Sequence, residues 1–168
     1  MSVPPLYVVI SFLIAQRLAE LAWASRNTRR LLAQGAVEHG ARHYPLFVVL
    51  HVGWLGALAL AVPATAPVAP VWLGLFVVLQ VLRLWIIASL GPFWTTRIIS
   101  LQDRPMVRRG PYRLLRHPNY AVVAVEIVAV PMMFGAWPLA LGFGLLNLML
   151  LAWRIRVEDS ALAPRRSI

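Results

Sequence analysis

The chain has no cysteine and no lysine. Without a thiol, disulfides, thiolate catalysis and Cys-ligated zinc or iron–sulfur centres are all excluded. Charge of either sign is scarce: 13% of the 168 residues are ionised acids or bases, and only six are acidic. Soluble domains carry about 25% charged residues. The chain is instead 60% hydrophobic with a mean hydropathy of +0.72. That composition fits neither a soluble globule nor a disordered segment, and the length allows one domain. A glycine-rich dinucleotide loop is missing too. The one Gly-x-Gly, Gly142–Phe143–Gly144, lies inside an apolar run and reads as helix packing. Met1–Ser2–Val3–Pro4–Pro5 offers no basic region and no small-residue cleavage site, so no signal peptide is expected.

The 16 basic residues are therefore all arginine, and the net charge is +10. Such a balance can serve nucleic acids, but here the arginines alternate with long apolar runs. That is the pattern of a multi-pass membrane protein, and no nucleic-acid partner is expected. A spanning helix needs about 20 apolar residues. Candidate spans fall at 5–24, 44–62, 68–90, 119–134 and 138–153. The first is interrupted by Gln16, Arg17 and Glu20, and the last two are short enough to need extension or a thinned bilayer. Gly135–Ala136–Trp137–Pro138 reads as the turn between them. Arg26, Arg29, Arg30 and Arg42 follow the first span. Arg97, Arg104, Arg108, Arg109, Arg113 and Arg116 follow the third. Arg154, Arg156, Arg165 and Arg166 follow the fifth. The other connections, 63–67 and 135–138, are uncharged. Positive charge marks the cytoplasmic side. The expected fold is therefore an all-α integral membrane bundle of five transmembrane helices, N-terminus outside and C-terminus cytoplasmic, in the cytoplasmic membrane.

The longest stretch outside these spans, 91–118, carries Gly91, Pro92, Pro105, Gly110, Pro111 and Pro118 among its arginines, with Phe93, Trp94 and Tyr112. Gly110–Pro111 should open a short helix, and His117–Pro118 should close it, because the residue before proline avoids the α region. Pro118 then suits the start of the fourth span.

Polar residues inside the spans form a pattern of their own. At 1.5 Å per residue, Gln16, His51, Arg83, Glu126 and Asn147 all fall about 9–12 Å below the cytoplasmic edge. Charge at that depth costs about 2.5–3.5 kcal/mol on insertion scales, so these groups should face the bundle interior and pair there. The layer reads as the floor of a pocket open to the cytoplasm. Asn147, Leu151, Arg154 and Glu158 share one helix face, as do Asn119, Glu126 and Met133.

Two local sequences carry the sharpest signal: Gly110-Pro-Tyr-Arg-Leu-Leu-Arg-His-Pro-Asn-Tyr120 and Arg154-Ile-Arg-Val-Glu-Asp-Ser-Ala-Leu162. Together they resemble the cofactor region of the isoprenylcysteine carboxyl methyltransferase family, over about residues 90–162. The matching elements are Arg116-His117-Pro118-x-Tyr120 and Arg154 followed by Glu158 and a second acid. Where the family often has two glutamates, this chain has Glu158–Asp159, which shortens one arm. The resemblance implies methyl transfer from S-adenosylmethionine (SAM) to a lipophilic acceptor at the membrane face. The residue types suit that cofactor. Arg116 and His117 can meet a carboxylate and Glu158 an ammonium, while Tyr112 and Tyr120 offer aromatic faces that also favour a sulfonium. The amides opening the helix at Pro118–Tyr120 add a positive helix end. The cofactor residues expected are Tyr112, Arg116, His117, Pro118, Tyr120 and Glu158.

The acceptor is either a prenylcysteine-like carboxylate or, as in some bacterial relatives, a hydroxyl of a long-chain phenol or pyrone. This chain resembles the second group more. A carboxylate needs no base, whereas a phenol with a pKa near 10 gains from one. His117, Glu126 or Glu158 can take the proton, and Arg83 or Arg154 can hold the anion. With Asn147 from the polar layer, Glu126, Arg154 and Arg83 are the candidate catalytic residues. Competing readings are a phospholipid N-methyltransferase, a nicotinamide-dependent membrane reductase, and a small transporter subunit. Glu38–His39 with His43 has helical histidine spacing, but four histidines and no cysteine make a metal site unexpected. The remaining loop arginines suit lipid headgroups.

Overall fold

The computed structural model describes residues 3–41, 44–101 and 106–163. His43, Arg42, Arg104, Pro105, Arg165 and Arg166 fall outside the described residues.

Five α-helices are described: α1 Pro5–Leu32, α2 Tyr44–Ala61, α3 Pro70–Leu90, α4 Pro118–Met133 and α5 Trp137–Leu162. Each has proline in its first two positions: Pro5, Pro45, Pro70, Pro118 and Pro138. There the missing N–H costs nothing and the fixed φ is already helical. The stop after α4 is equally local. Gly135 adopts φ +70°, and Ala136 N–H reaches back to the Pro131 carbonyl at 2.9 Å. The left-handed residue and that bond close the last turn.

α1, α2, α5 and α3 with its following 3₁₀ turn Gly91–Phe93 are long and apolar enough to cross a membrane. α4, at 16 residues, is shorter. It covers about 24 Å against a hydrocarbon core of about 30 Å. It is also the most enclosed, packing extensively on both α3 and α5. The molecule is thus a helical membrane bundle with four helices of spanning length and a short central one.

The apolar periodicity places the core. Leu6, Ile10 and Leu13 of α1 meet Leu50, Trp54 and Leu58 of α2, Phe76 of α3 and Val123, Ile127, Val130 and Met133 of α4. A second cluster joins Ala24, Leu79, Ile86, Trp94, Val122 and Ala129. Outward positions are just as apolar: Val49, Leu60, Val71, Leu84 and Met149 are all exposed. That inversion is expected when the surrounding solvent is lipid.

The all-α bundle is as expected; two expectations need correction, and one small feature was not anticipated. Val37–His39 (β1) pairs antiparallel with Ile98–Ser100 (β2), with Glu38 opposite Ile99. Segments of three residues give too short a pattern to stand out in sequence. α1 and α5 run eight and nine residues past the expected ends at 24 and 153, so Arg26, Arg29, Arg30, Arg154 and Arg156 sit on helices rather than in loops. Finally, the helical turn after Gly110 ends at Arg113, well before His117.

Candidate active site

One end of the bundle encloses a cavity of about 460 Å³, bounded by α1, α2, α3, α5 and the segments 93–101 and 106–120. That volume lies within the range of small-molecule sites. On α1 it is lined by Ile14, Leu18 and Leu21, and on α2 by Val48 and Val52. All five are exposed. The side of the cavity formed by α1 and α2 is therefore apolar and accessible.

At one end, α4 and α5 bring the two distant sequence elements together. Tyr120, in the first turn of α4, donates its hydroxyl hydrogen to Glu158 of α5. The same oxygen accepts a bond from Arg154 Nε at 2.7 Å. Arg154 Nη2 donates to the Thr96 carbonyl at 2.7 Å, and its guanidinium lies over the Phe47 and Tyr120 rings. No carboxylate among the described residues forms an ion pair with it. His117 stacks on Tyr120, the ring centres 5.3 Å apart. Its ring nitrogens face Glu158 at 3.8 Å and Asp159 at 3.3 Å. Arg116 and Tyr112 also line the cavity. Burial, reinforced by the negative charge of Glu158, pushes the Tyr112 phenol well above its ordinary pKa, so it stays neutral.

The Gly110–Arg113 turn that carries Tyr112 is seated tightly. Gly110 has φ +56°, and a Cβ there would strike the Ser89 hydroxyl. Arg109 Nε fastens the approach to the Ser89 carbonyl at 2.7 Å. Asn27 of α1 donates to the carbonyls of Gly91 and Trp94 at 3.2 and 2.9 Å, fixing the loop after α3.

The deeper wall is a closed charge network. Arg83 of α3 holds Glu20 of α1 through two bonds of 2.5 and 2.6 Å. Arg17 bridges Glu20, at 3.1 Å, and Glu126. Arg83 also approaches Glu126 at 3.7 Å. Gln80 donates to Glu126 at 2.8 Å and accepts from Gln16 at 2.8 Å. Two guanidinium groups and two carboxylates leave no net charge, which is how such groups persist away from water.

Of the residues singled out in the sequence, Tyr112, Arg116, His117, Tyr120, Arg154, Glu158, Arg83, His51 and Asn119 line the cavity. Pro118, Glu126, Asn147 and Gln16 do not. Pro118 starts α4. Glu126 lies behind Arg17, and Gln16 behind Gln80. Asn147 is fully buried on α5, its amide without a hydrogen-bond partner among the described residues. The polar layer is thus partly a cavity wall and partly interhelical glue. Arg17, Glu20 and Gln80 complete the network, and sequence reasoning missed their role. Their signal was visible as polar breaks at 16, 17 and 20 in an apolar run, and as Gln80 three residues before Arg83 on one face.

The fold and the cavity together define the class: a helical membrane bundle with a largely apolar cavity at one end, edged by charged and aromatic groups. The pattern of the isoprenylcysteine carboxyl methyltransferase (ICMT) family matches residues 72–164. The chain belongs to this family, whose members are membrane methyltransferases that use SAM. It is 38% identical over 160 residues to the uncharacterized protein YpbQ of Bacillus subtilis (strain 168), covering 93% of this chain and 95% of that one. An uncharacterized protein of Haemophilus influenzae is 26% identical over 165 residues, 94% and 96% of the two chains. No solved structure matches.

Proposed function

We propose that the protein transfers a methyl group from SAM to an oxygen of a lipophilic acceptor, at the cytoplasmic face of the cytoplasmic membrane. The observation that carries this reading is the joining of Tyr120, His117, Arg154 and Glu158 in one cavity whose side along α1 and α2 is apolar and exposed. The donor set fits the cofactor. Glu158 offers a carboxylate to an ammonium, Arg116 a guanidinium to a carboxylate, and the stacked His117–Tyr120 pair with Tyr112 an aromatic wall. When bound, SAM supplies an electrophilic methyl carbon on a sulfonium.

The chain's own residues would do the rest by position. Tyr120 holds Arg154 and Glu158 in register across α4 and α5. Arg154, a buried cation with no paired carboxylate among the described residues, can stabilise negative charge on the acceptor oxygen. The acceptor's chain leaves along Leu18, Leu21, Val48 and Val52. α4 completes the fifth crossing, with the N-terminus outside. The acceptor is a long-chain phenol or pyrone hydroxyl, or a prenylcysteine-like carboxylate.

The test is SAM binding by calorimetry on detergent-purified protein. Micromolar binding that weakens at least tenfold in Glu158→Ala and Arg116→Ala is expected. A folded sample that does not bind SAM would overturn the reading.

A further inference from the structure

Among the described residues, the cavity contains one proton-accepting group that its own contacts leave open. His51, on α2, places Nδ1 2.8 Å from the Phe47 carbonyl one turn earlier. A carbonyl only accepts, so Nδ1 carries the hydrogen. The neutral ring is thereby held in the tautomer whose Nε2 bears a lone pair. Nε2 has no hydrogen-bond partner among the described residues, and His51 lines the cavity.

The other candidates are occupied. Both oxygens of Glu20 accept from Arg83, and one also from Arg17. Glu126 is engaged by Gln80 and Arg17 and does not line the cavity. Glu158 is tied to Tyr120 and His117. His117 has both ring nitrogens against carboxylates. His51 is also well placed. Phe47, four residues before it, lies under the Arg154 guanidinium with 5.1 Å to the ring centre. The step along α2 from Phe47 to His51 is about 6 Å. An acceptor headgroup can thus rest between Arg154 and His51 with its chain leaving between α1 and α2.

We infer that His51 is the general base that takes the proton of a hydroxyl acceptor. This rests on the methyltransferase reading above. The acceptor's O–H bond breaks and its proton goes to His51 Nε2. The oxygen's electron pair forms the new O–CH₃ bond, and the C–S bond breaks with its pair left on sulfur as a neutral thioether. The proton then leaves Nε2 to the aqueous side. A carboxylate acceptor, ionised at neutral pH with a pKa near 4, would give this base nothing to do. The charged groups lining the same cavity are Arg17 and Glu20 of α1, Arg83 of α3, Arg154 and Glu158 of α5, and Arg97 and Arg116 of the connections, with Glu126 of α4 behind Arg17. The first three with Glu126 neutralise one another.

The test uses the full chain in detergent with His51→Asn, which can keep the bond to the Phe47 carbonyl but lacks the base, and His51→Gln as a second variant. With a long-chain alkylphenol, kcat should fall about 100-fold or more and the acidic limb of the kcat/KM profile should vanish, with SAM affinity unchanged. A long-chain alkyl nitrophenol, ionised at the assay pH, should be methylated nearly as fast by the variant as by wild type. Without SAM, and at a pH below the probe's pKa, absorbance should show that probe more ionised when bound to wild type than to His51→Asn. Unchanged kcat and pH profile, or an equal loss with both acceptors, would overturn the proposal. Wild-type protein that binds SAM but methylates only a prenylcysteine carboxylate would overturn it and leave the methyltransferase reading standing. Absence of SAM binding would overturn both.

Discussion

Replacing Gly110 with alanine puts the seating of the Tyr112 turn to a quantitative test. Two penalties act at this residue. Its φ of +56° is left-handed, which costs an L-residue about 1–2 kcal/mol. The new Cβ would also strike the Ser89 hydroxyl, with Ser89 Cβ at 3.1 Å and Trp85 Nε1 at 3.2 Å. Overpacking of that kind costs about 1–3 kcal/mol. The sum is about 2–5 kcal/mol, a large part of the stability of a small domain. Unfolding in mixed micelles, followed by tryptophan fluorescence, reads it directly. If the turn moves instead of absorbing the strain, Tyr112 leaves the cavity wall and SAM affinity falls more than tenfold. A Gly110→Ala, Ser89→Ala double variant separates the two penalties. It removes the hydroxyl and should recover about 1 kcal/mol or more of the packing loss, leaving the backbone cost in place. Gly110→Ala within about 0.5 kcal/mol of wild type, with SAM binding intact, would refute the reasoning. A double variant no better than the single would refute its steric half.

Tyr120→Phe removes the hydroxyl between Arg154 and Glu158; hydrogen bonds to charged groups are worth about 1.5–3 kcal/mol, so calorimetry should show SAM affinity reduced at least tenfold. Arg83→Met leaves Glu20 with Arg17 alone and should destabilise the bundle by about 3–5 kcal/mol in the same unfolding assay, while adding Glu20→Leu should restore most of it. Arg97→Ala breaks a half-exposed pair with Glu38 at 3.1 Å, and the loss should stay below about 1 kcal/mol.

The helices were legible because membrane burial demands long apolar runs and because prolines mark every helix start. The expected beginnings of α1 to α5 lie within two residues of the observed ones. The ends were harder. Past residues 24 and 153 the helices continue into polar surroundings, where apolar length no longer reports them. The Tyr120–Arg154–Glu158 grouping was legible in part: Arg154 and Glu158 share a helix face by their spacing, and the family resemblance joined them to Tyr120. The Arg17–Glu20–Arg83–Glu126 network was not. Depth counting sorts residues into layers but carries no information about which faces of α1, α3 and α4 turn toward each other. His51 illustrates the same limit. Its polarity within a span was visible, but the Phe47 carbonyl that fixes its tautomer appears only in three dimensions.

The small ribbon between β1 and β2 constrains the whole topology. It joins the connection after α1 to the connection after α3, so both lie on one side of the bilayer. The chain between them must therefore traverse the membrane an even number of times, and α2 with α3 supplies the pair. During biogenesis the tie cannot close until the α2–α3 hairpin has gone in and come back. The ribbon thus acts as a late stitch, one that only a correctly threaded chain can make.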